Sequence, residues 1–372
     1  MAQTEKLTVK QKTANYFRTL PKRYFITAFS GMAQGLFVTL IAGTILAQIA
    51  GWINKIGDGN YVGNTLLYIA NIAKSLMGAG IGVGIAHALG KHKLLTFSAA
   101  VAGMVGAFSD KLMVNAAPFT AIALGAPGNP IGAYVVTMLV VEIVGLYAGK
   151  TKLDILLVPL GALVLSLGGV FAAYPFIELV DLLGKGIEKA TAITPFVMGI
   201  VIAVAMGILL TMPTSSAAIW LSFALGNTSE AMLRAGGAAT VGCACHMIGF
   251  AVASFRENKV GGLISQGIGT SMLQIPNIMK KPVIMLPMII SSAICGPLAT
   301  CVFQLHCGAS GGGMGTSGLV GVFDLFEYTS GALGYVGIIL LMFVLPAILN
   351  FAISEFMRKK GWIKDGDMKL DL

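Results

Sequence analysis

Apolar residues in this chain come in long unbroken windows rather than in short alternating runs. Asp, Glu, Lys and Arg are absent from Tyr24–Asn54, Leu112–Val141, Ile155–Ile177, Pro195–Ser229 and Pro282–Phe323. Each window exceeds the roughly 20 apolar residues that carry a helix across a hydrocarbon core. None alternates polar with apolar positions as a strand of an outer-membrane barrel does. The pattern predicts an all-α polytopic membrane protein. Spans are expected near 24–50, 60–89, 94–108, 131–149, 153–177, 195–225, 235–255, 283–303 and 331–356. Two further stretches, near 260–279 and 304–327, are apolar enough to enter a bilayer but are broken up by Gly, Ser, Thr and Pro. They predict re-entrant hairpins, within a total of about ten transmembrane helices. Residues 109–130 read equally as a loop, a re-entrant piece or a continuation of the third span.

One segment departs from this pattern. Glu178–Ala192 mixes Glu178, Asp181, Lys185, Glu188 and Lys189 with leucine and isoleucine, which suits a helix lying in the membrane interface, with an ordinary connecting loop as the alternative. Taking 181–194 as an amphipathic linker divides the chain. A leader covers 1–23, an N-terminal membrane half 24–180, a C-terminal half 195–356 and a tail 357–372.

Composition agrees. Charged residues make up 11% of the chain and mean hydropathy is +0.83, where a soluble domain carries about 25% charge. The formal net charge of +9 comes from residues spread over short loops and both ends, so it is not a nucleic-acid footprint. Lys6, Lys10, Lys12, Arg18, Lys22 and Arg23 precede the first window; Arg358, Lys359, Lys360, Lys364 and Lys369 follow the last. By the positive-inside rule both termini are expected in the cytoplasm of a bacterial cell. The first window is longer than a signal-peptide core, without a clear cleavage site, and reads as a retained span. Five cysteines, all within apolar segments, do not make a disulfide framework. Cys243, Cys245 and His246 lack a second ligand pair, so neither a metal nor another cofactor is expected.

A bilayer excludes unsatisfied backbone except where protein or a water-filled cavity covers it. Transporters use broken helices there to hold a substrate. Three stretches carry this signature. In TMPTSSAAIW (211–220), Pro213 frees a carbonyl beside Thr211, Thr214, Ser215 and Ser216; a kink whose hydroxyls bond their own backbone fits equally. In SQGIGTSMLQIPNIMKKP (265–282), Gln266, Thr270, Ser271, Gln274 and Asn277 stand among apolar residues and two prolines. HCGASGGGMGTSG (306–318) repeats the triplet GTS, as Gly315, Thr316 and Ser317. Ionisable residues in apolar surroundings are few, and each is a functional candidate: Lys74, Asp110, Lys111, Glu142, His246, His306, Asp324 and Glu327. Glu142 also reads as half of a structural ion pair, with Lys74 as the expected partner. No Walker motif, arginine ladder or potassium-filter sequence is present, which argues against ATP hydrolysis and ion-channel functions.

GKTKLDILLVPL (149–160), MPTSSAAI (212–219), QGIGTSMLQIPNI (266–278) and GMGTSGLVG (313–321), with the GAPGNPIGA turn (125–133), resemble the membrane IIC component of the bacterial phosphoenolpyruvate-dependent sugar phosphotransferase system. The closest branch is the stand-alone one also described as toxin-regulator-like. The resemblance implies an elevator-type carrier that forms a homodimer through its N-terminal half. It further implies that two hairpins of the C-terminal half hold the sugar, with a His and a Glu on its hydroxyls. His246, His306 and Glu327 are the candidates. No IIB or IIA domain is fused, so any phosphorylation would come from separate IIA and IIB proteins. The chain would then be a membrane subunit without catalysis of its own.

The leading expectation is a permease for a small polar solute, a sugar or sugar derivative, in contact with membrane lipid. The competing one is a membrane sensor that binds a solute without coupled transport. Expected solute contacts are Gln266, Thr270, Ser271, Gln274, Asn277, His306, Thr316, Ser317, Glu327, His246, Thr214 and Ser215.

Overall fold

A computed structural model describes residues 19–56, 61–109, 112, 128–212 and 215–370. The leader before 19, most of 109–130, and Pro213 and Thr214 therefore lie outside the described residues. The described residues form helices and connecting loops, with no strand among them. Among the described residues five helices are long and apolar enough to cross a membrane, or six if the bent pair Tyr61–Ser75 and Met77–Ala88 is one span. The five are α1 (Thr19–Asn54), α6 (Asp154–Ile193), α9 (Glu230–Ala253), α12 (Pro282–Val302) and α14 (Ala332–Lys359). Three shorter apolar helices stand between them: α4 (Lys93–Ala107), α5 (Pro130–Val144) and α7 (Pro195–Thr211).

Several of the expected spans are divided. Residues 60–89 form α2 (Tyr61–Ser75) and α3 (Met77–Ala88), bent by 52° at the break. Residues 195–225 split into α7 and α8 (Ser216–Ala224), because Ser215 caps α8 by accepting the N–H of Ala218. By contrast, the amphipathic stretch 178–192 continues α6 without a break. That helix has 40 residues, about 60 Å at 1.5 Å per residue, or twice a hydrocarbon core. Its Pro159 and Pro175 do not end it. Caps set other starts: Asn129 accepts from the N–H of Ile131 and Gly132 with Pro130 at the first turn of α5, and Ser229 accepts from Met232 to begin α9.

Packing between helices rests on small residues. Apolar surface gains little by leaving lipid for another apolar surface, so close backbone approach must supply the attraction. At the α1–α3 crossing a Cβ on Gly35 would stand 2.1 Å from the carbonyl oxygen of Gly80. At the α7–α9 crossing one on Gly242 would stand 2.0 Å from that of Ala203. Helix α9 is the axle of the C-terminal half, with 89% of its apolar window buried, whereas α6 has only 28% buried and turns an apolar face outward.

Glu142 differs from expectation. Its partner is Arg23 of α1, with Nε 2.9 Å from Oε1, and not Lys74. α5 packs beside the start of α1, whereas Lys74 lies at the far end of α2, on a different cavity.

Candidate functional site

The glycine-rich run 306–318 lies in the C-terminal half as buried, irregular chain; every residue from Gly311 to Thr316 is buried. Its small residues let backbone lie on backbone. A Cβ on Gly312 would meet Trp220 Nε1 at 1.9 Å, and one on Gly315, at φ +56°, would meet α9 at 2.8 Å. Surrounding side chains satisfy its peptide groups. Asp324, on α13 (Val320–Tyr328), accepts the Gly308 N–H at 2.6 Å and the Cys307 thiol at 3.1 Å. Trp220 Nε1 donates to Gly308 O, Ser216 Oγ to Gly313 O at 2.6 Å, and Thr240 Oγ1 to Gly311 O. Irregular backbone satisfied in this way can be buried without stranding its polar groups.

The two GTS triplets meet. Thr316 Oγ1 donates to Gly267 O at 2.5 Å and Ser317 Oγ to Gly269 O at 3.0 Å. Residues 255–281 are not one straight helix. They run through α10 (Phe255–Ile264), a wide turn at Ser265–Gly269, a tight turn at Ser271–Gln274 and α11 (Ile275–Lys280).

Two cavities flank the glycine run. The first, about 480 Å³, is lined by Ser215, Ser216, Gly269, Thr270, Met314 and Ser317. The second, about 590 Å³, is lined by Lys74, Asn227, Ser310, Asp324, Glu327 and Tyr328, among others. Helix α1 closes both from the N-terminal half. Ile26, Ser30, Ala33 and Phe37 face the first; Leu40, Thr44, Ala47 and Gly51 face the second. These eight positions are spaced by three or four residues, so they form one stripe along a single helix face. The run crosses that stripe, with Met314 packed in the cluster of Met32 and Leu36, and Thr44 Oγ1 3.4 Å from Ser310 Oγ.

Among the expected contacts, Ser215, Thr270, Ser317 and Glu327 line these cavities, while Thr214 lies outside the described residues. His246 is fully buried behind the first cavity: Nδ1 is 2.9 Å from Thr211 Oγ1, itself 2.9 Å from Ser271 Oγ. His306 lines neither cavity; its backbone N–H donates to Thr329 Oγ1. Ser30, Thr44, Asn227 and Ser310 are lining residues that sequence reasoning passed over. For Ser30 and Thr44 the available signal was a hydroxyl recurring on one face of the otherwise apolar α1.

Gln266, Gln274 and Asn277 are engaged elsewhere. The tail folds back over 255–281 as a strap of successive turns. Gln274 Nε2 donates to Gln266 Oε1 and to Met368 O, and Asn277 Nδ2 to Gln274 Oε1 and to Lys369 O. Asn258 pairs with both Met368 O and Leu370 N, and Glu257 accepts from Gly366 N, Met368 N and Arg358. Lys281 reaches Asp367 at 2.6 Å. Burial alone would raise the Asp367 carboxyl, but the Lys281 ammonium and the Lys364 N–H overcome it and hold the group below the usual carboxylate range. A depressed folded value stabilises the strap above the ordinary carboxylate value and loses that stabilisation as pH falls through the folded one. Acidification below about pH 4 is therefore expected to lower hydrogen-exchange protection, relative to the intrinsic rate at that pH, at Gly366–Met368 before it does so in α9. Equal loss of protection in both would count against a locally held strap.

Residues 26–370 match the family described as the phosphotransferase system EIIC. The chain belongs to this family. As an EIIC protein it is a multi-pass membrane component of sugar transport that works with IIA and IIB proteins of the phosphotransferase system. No curated protein matches it.

Proposed function

We propose that this EIIC protein is a permease for a small neutral polyhydroxylated solute, a sugar or sugar derivative, and that it works as an elevator. The observation that carries this reading is the α1 stripe, which lines a cavity on each side of the buried glycine run. A solute leaving water loses many hydrogen bonds, and each polar group left unpaired costs about 1–3 kcal/mol. Ser215, Thr270 and Ser317 in one cavity and Asn227, Ser310 and Glu327 in the other can return those bonds. The small residues of the glycine run let it and its partner segment slide past the α1 stripe, which opens the two cavities in turn.

In this reading the N-terminal half stays fixed and forms a homodimer, which the outward apolar face of α6 supports. Both termini face the cytoplasm, where separate IIA and IIB proteins supply any phosphoryl group. Sliding needs the contact between Thr44 and Ser310 to break. The pair Thr44→Cys and Ser310→Cys, in a Cys301→Ser background, is expected to cross-link readily. Cross-linking should halt counterflow of labelled sugar in proteoliposomes, and reductant should restore it. Full cross-linking with unchanged counterflow would end the elevator reading.

A further inference from the structure

Two more cavities adjoin at the start of the chain, and neither belongs to the path above. One, about 550 Å³, is a groove between α1, α5 and α6 whose walls include Phe25, Phe29, Tyr134, Leu139 and Phe176, with Glu142 as its carboxylate. The other, about 290 Å³, holds Thr19, Lys22, Arg23 and Thr27 beside the end of α3. The Arg23–Glu142 pair joins them, since Arg23 lines the second and Glu142 the first. Lys91 completes the cluster. It interacts with both charges, and a Cβ on Gly145 would lie 2.6 Å from its Nζ. Among the described residues, Arg23 and Lys91 thus stand about the Glu142 carboxylate of the apolar groove, and Lys22 shares the second cavity with Arg23.

We propose that this joined site holds one acidic phospholipid, with an acyl chain in the groove and its phosphate against Lys22, Arg23 and Lys91. The groove volume falls within the range of formed ligand pockets. Its walls are aromatic and aliphatic, so each methylene they bury favours binding. Basic pockets between helices at the membrane boundary suit anionic head groups, and this one lies where α1 begins and α3 ends. A second copy of the chain could cover the groove with apolar side chains. An acidic lipid offers the groove walls its acyl chain and, in addition, brings a phosphate to Lys22 and Lys91.

The test uses the full-length protein in detergent, read by native mass spectrometry. It is supplied with phosphatidylglycerol, with phosphatidylcholine of the same chains, or with inorganic phosphate. One phosphatidylglycerol should be retained about tenfold better than phosphatidylcholine, and inorganic phosphate should not stay bound. Lys22→Gln and Lys91→Gln should each lower that retention about fivefold, and Lys22→Arg should keep it. Val135→Trp, which fills the groove, should release both lipids. Lys22 is exposed, so its substitution leaves folding intact. Equal retention of the two lipids, no effect of Lys22→Gln, lipid still held by Val135→Trp, or a lipid-free dimer that protects the groove would each overturn the proposal.

Discussion

Asp324→Ala is expected to destabilise the C-terminal half by about 2–6 kcal/mol and to abolish solute binding. The side chain is buried and accepts the N–H of Gly308 as well as the Cys307 thiol, and the Gly311 N–H also points to it. Removing the acceptor leaves two peptide donors buried and unpaired, at about 1–3 kcal/mol each. Alanine also opens space where Gly311 now packs on the Asp324 side chain. The glycine run would then lose the anchor that holds its backbone between the two cavities. Asp324→Asn keeps one acceptor oxygen and should lose roughly half as much. Thermal unfolding of purified protein, together with sugar affinity on the same samples, measures both effects. Wild-type unfolding and affinity in Asp324→Ala would show that the carboxyl is not the anchor.

Gly35→Ala should be nearly as damaging, for the opposite reason. A new methyl carbon 2.1 Å from Gly80 O meets backbone, not a flexible side chain, so α1 and α3 must part. Overpacking in close-packed interiors costs about 1–3 kcal/mol, and a clash with main chain belongs at the top of that range. Because α1 carries the stripe that lines both cavities, the shift should also alter solute affinity. Gly168→Ala is the matched control. Gly168 lies inside α6 with nothing within 4 Å of where a methyl carbon would stand, so alanine there should stabilise by about 0.5–1 kcal/mol. If both substitutions move the melting temperature in the same direction, close approach at Gly35 is not what holds the N-terminal half together.

Much of the helical framework could be read from charge-free windows, because a membrane-spanning helix is defined by what it lacks. The breaks were less visible. Nothing in the residues around Ser75–Met77 announces a bend of 52°, and Pro175 sits in α6 without ending it. Neighbouring helices decide those outcomes, and a single sequence does not display its neighbours. The site divided in the same way. Thr270, Ser317 and Glu327 stood out as polar positions in apolar surroundings and do line cavities. Gln266, Gln274 and Asn277 stood out equally, yet their amides bond each other and the carbonyls of the tail. A backbone carbonyl has no sequence signature, so amides that bind a ligand and amides that bind distant main chain look the same.

The strap also sets an order of events at the ribosome. Asn258 and the Met368 carbonyl it holds are 110 residues apart. At about 5–20 residues per second, roughly 5–20 seconds of translation separate them. During that interval Gln274 and Asn277 have been made and their tail partners have not. The C-terminal half must therefore wait for residues 366–370 before its 255–281 segment can close. A nascent chain stalled short of Gly366 should carry a formed N-terminal half beside an open C-terminal one.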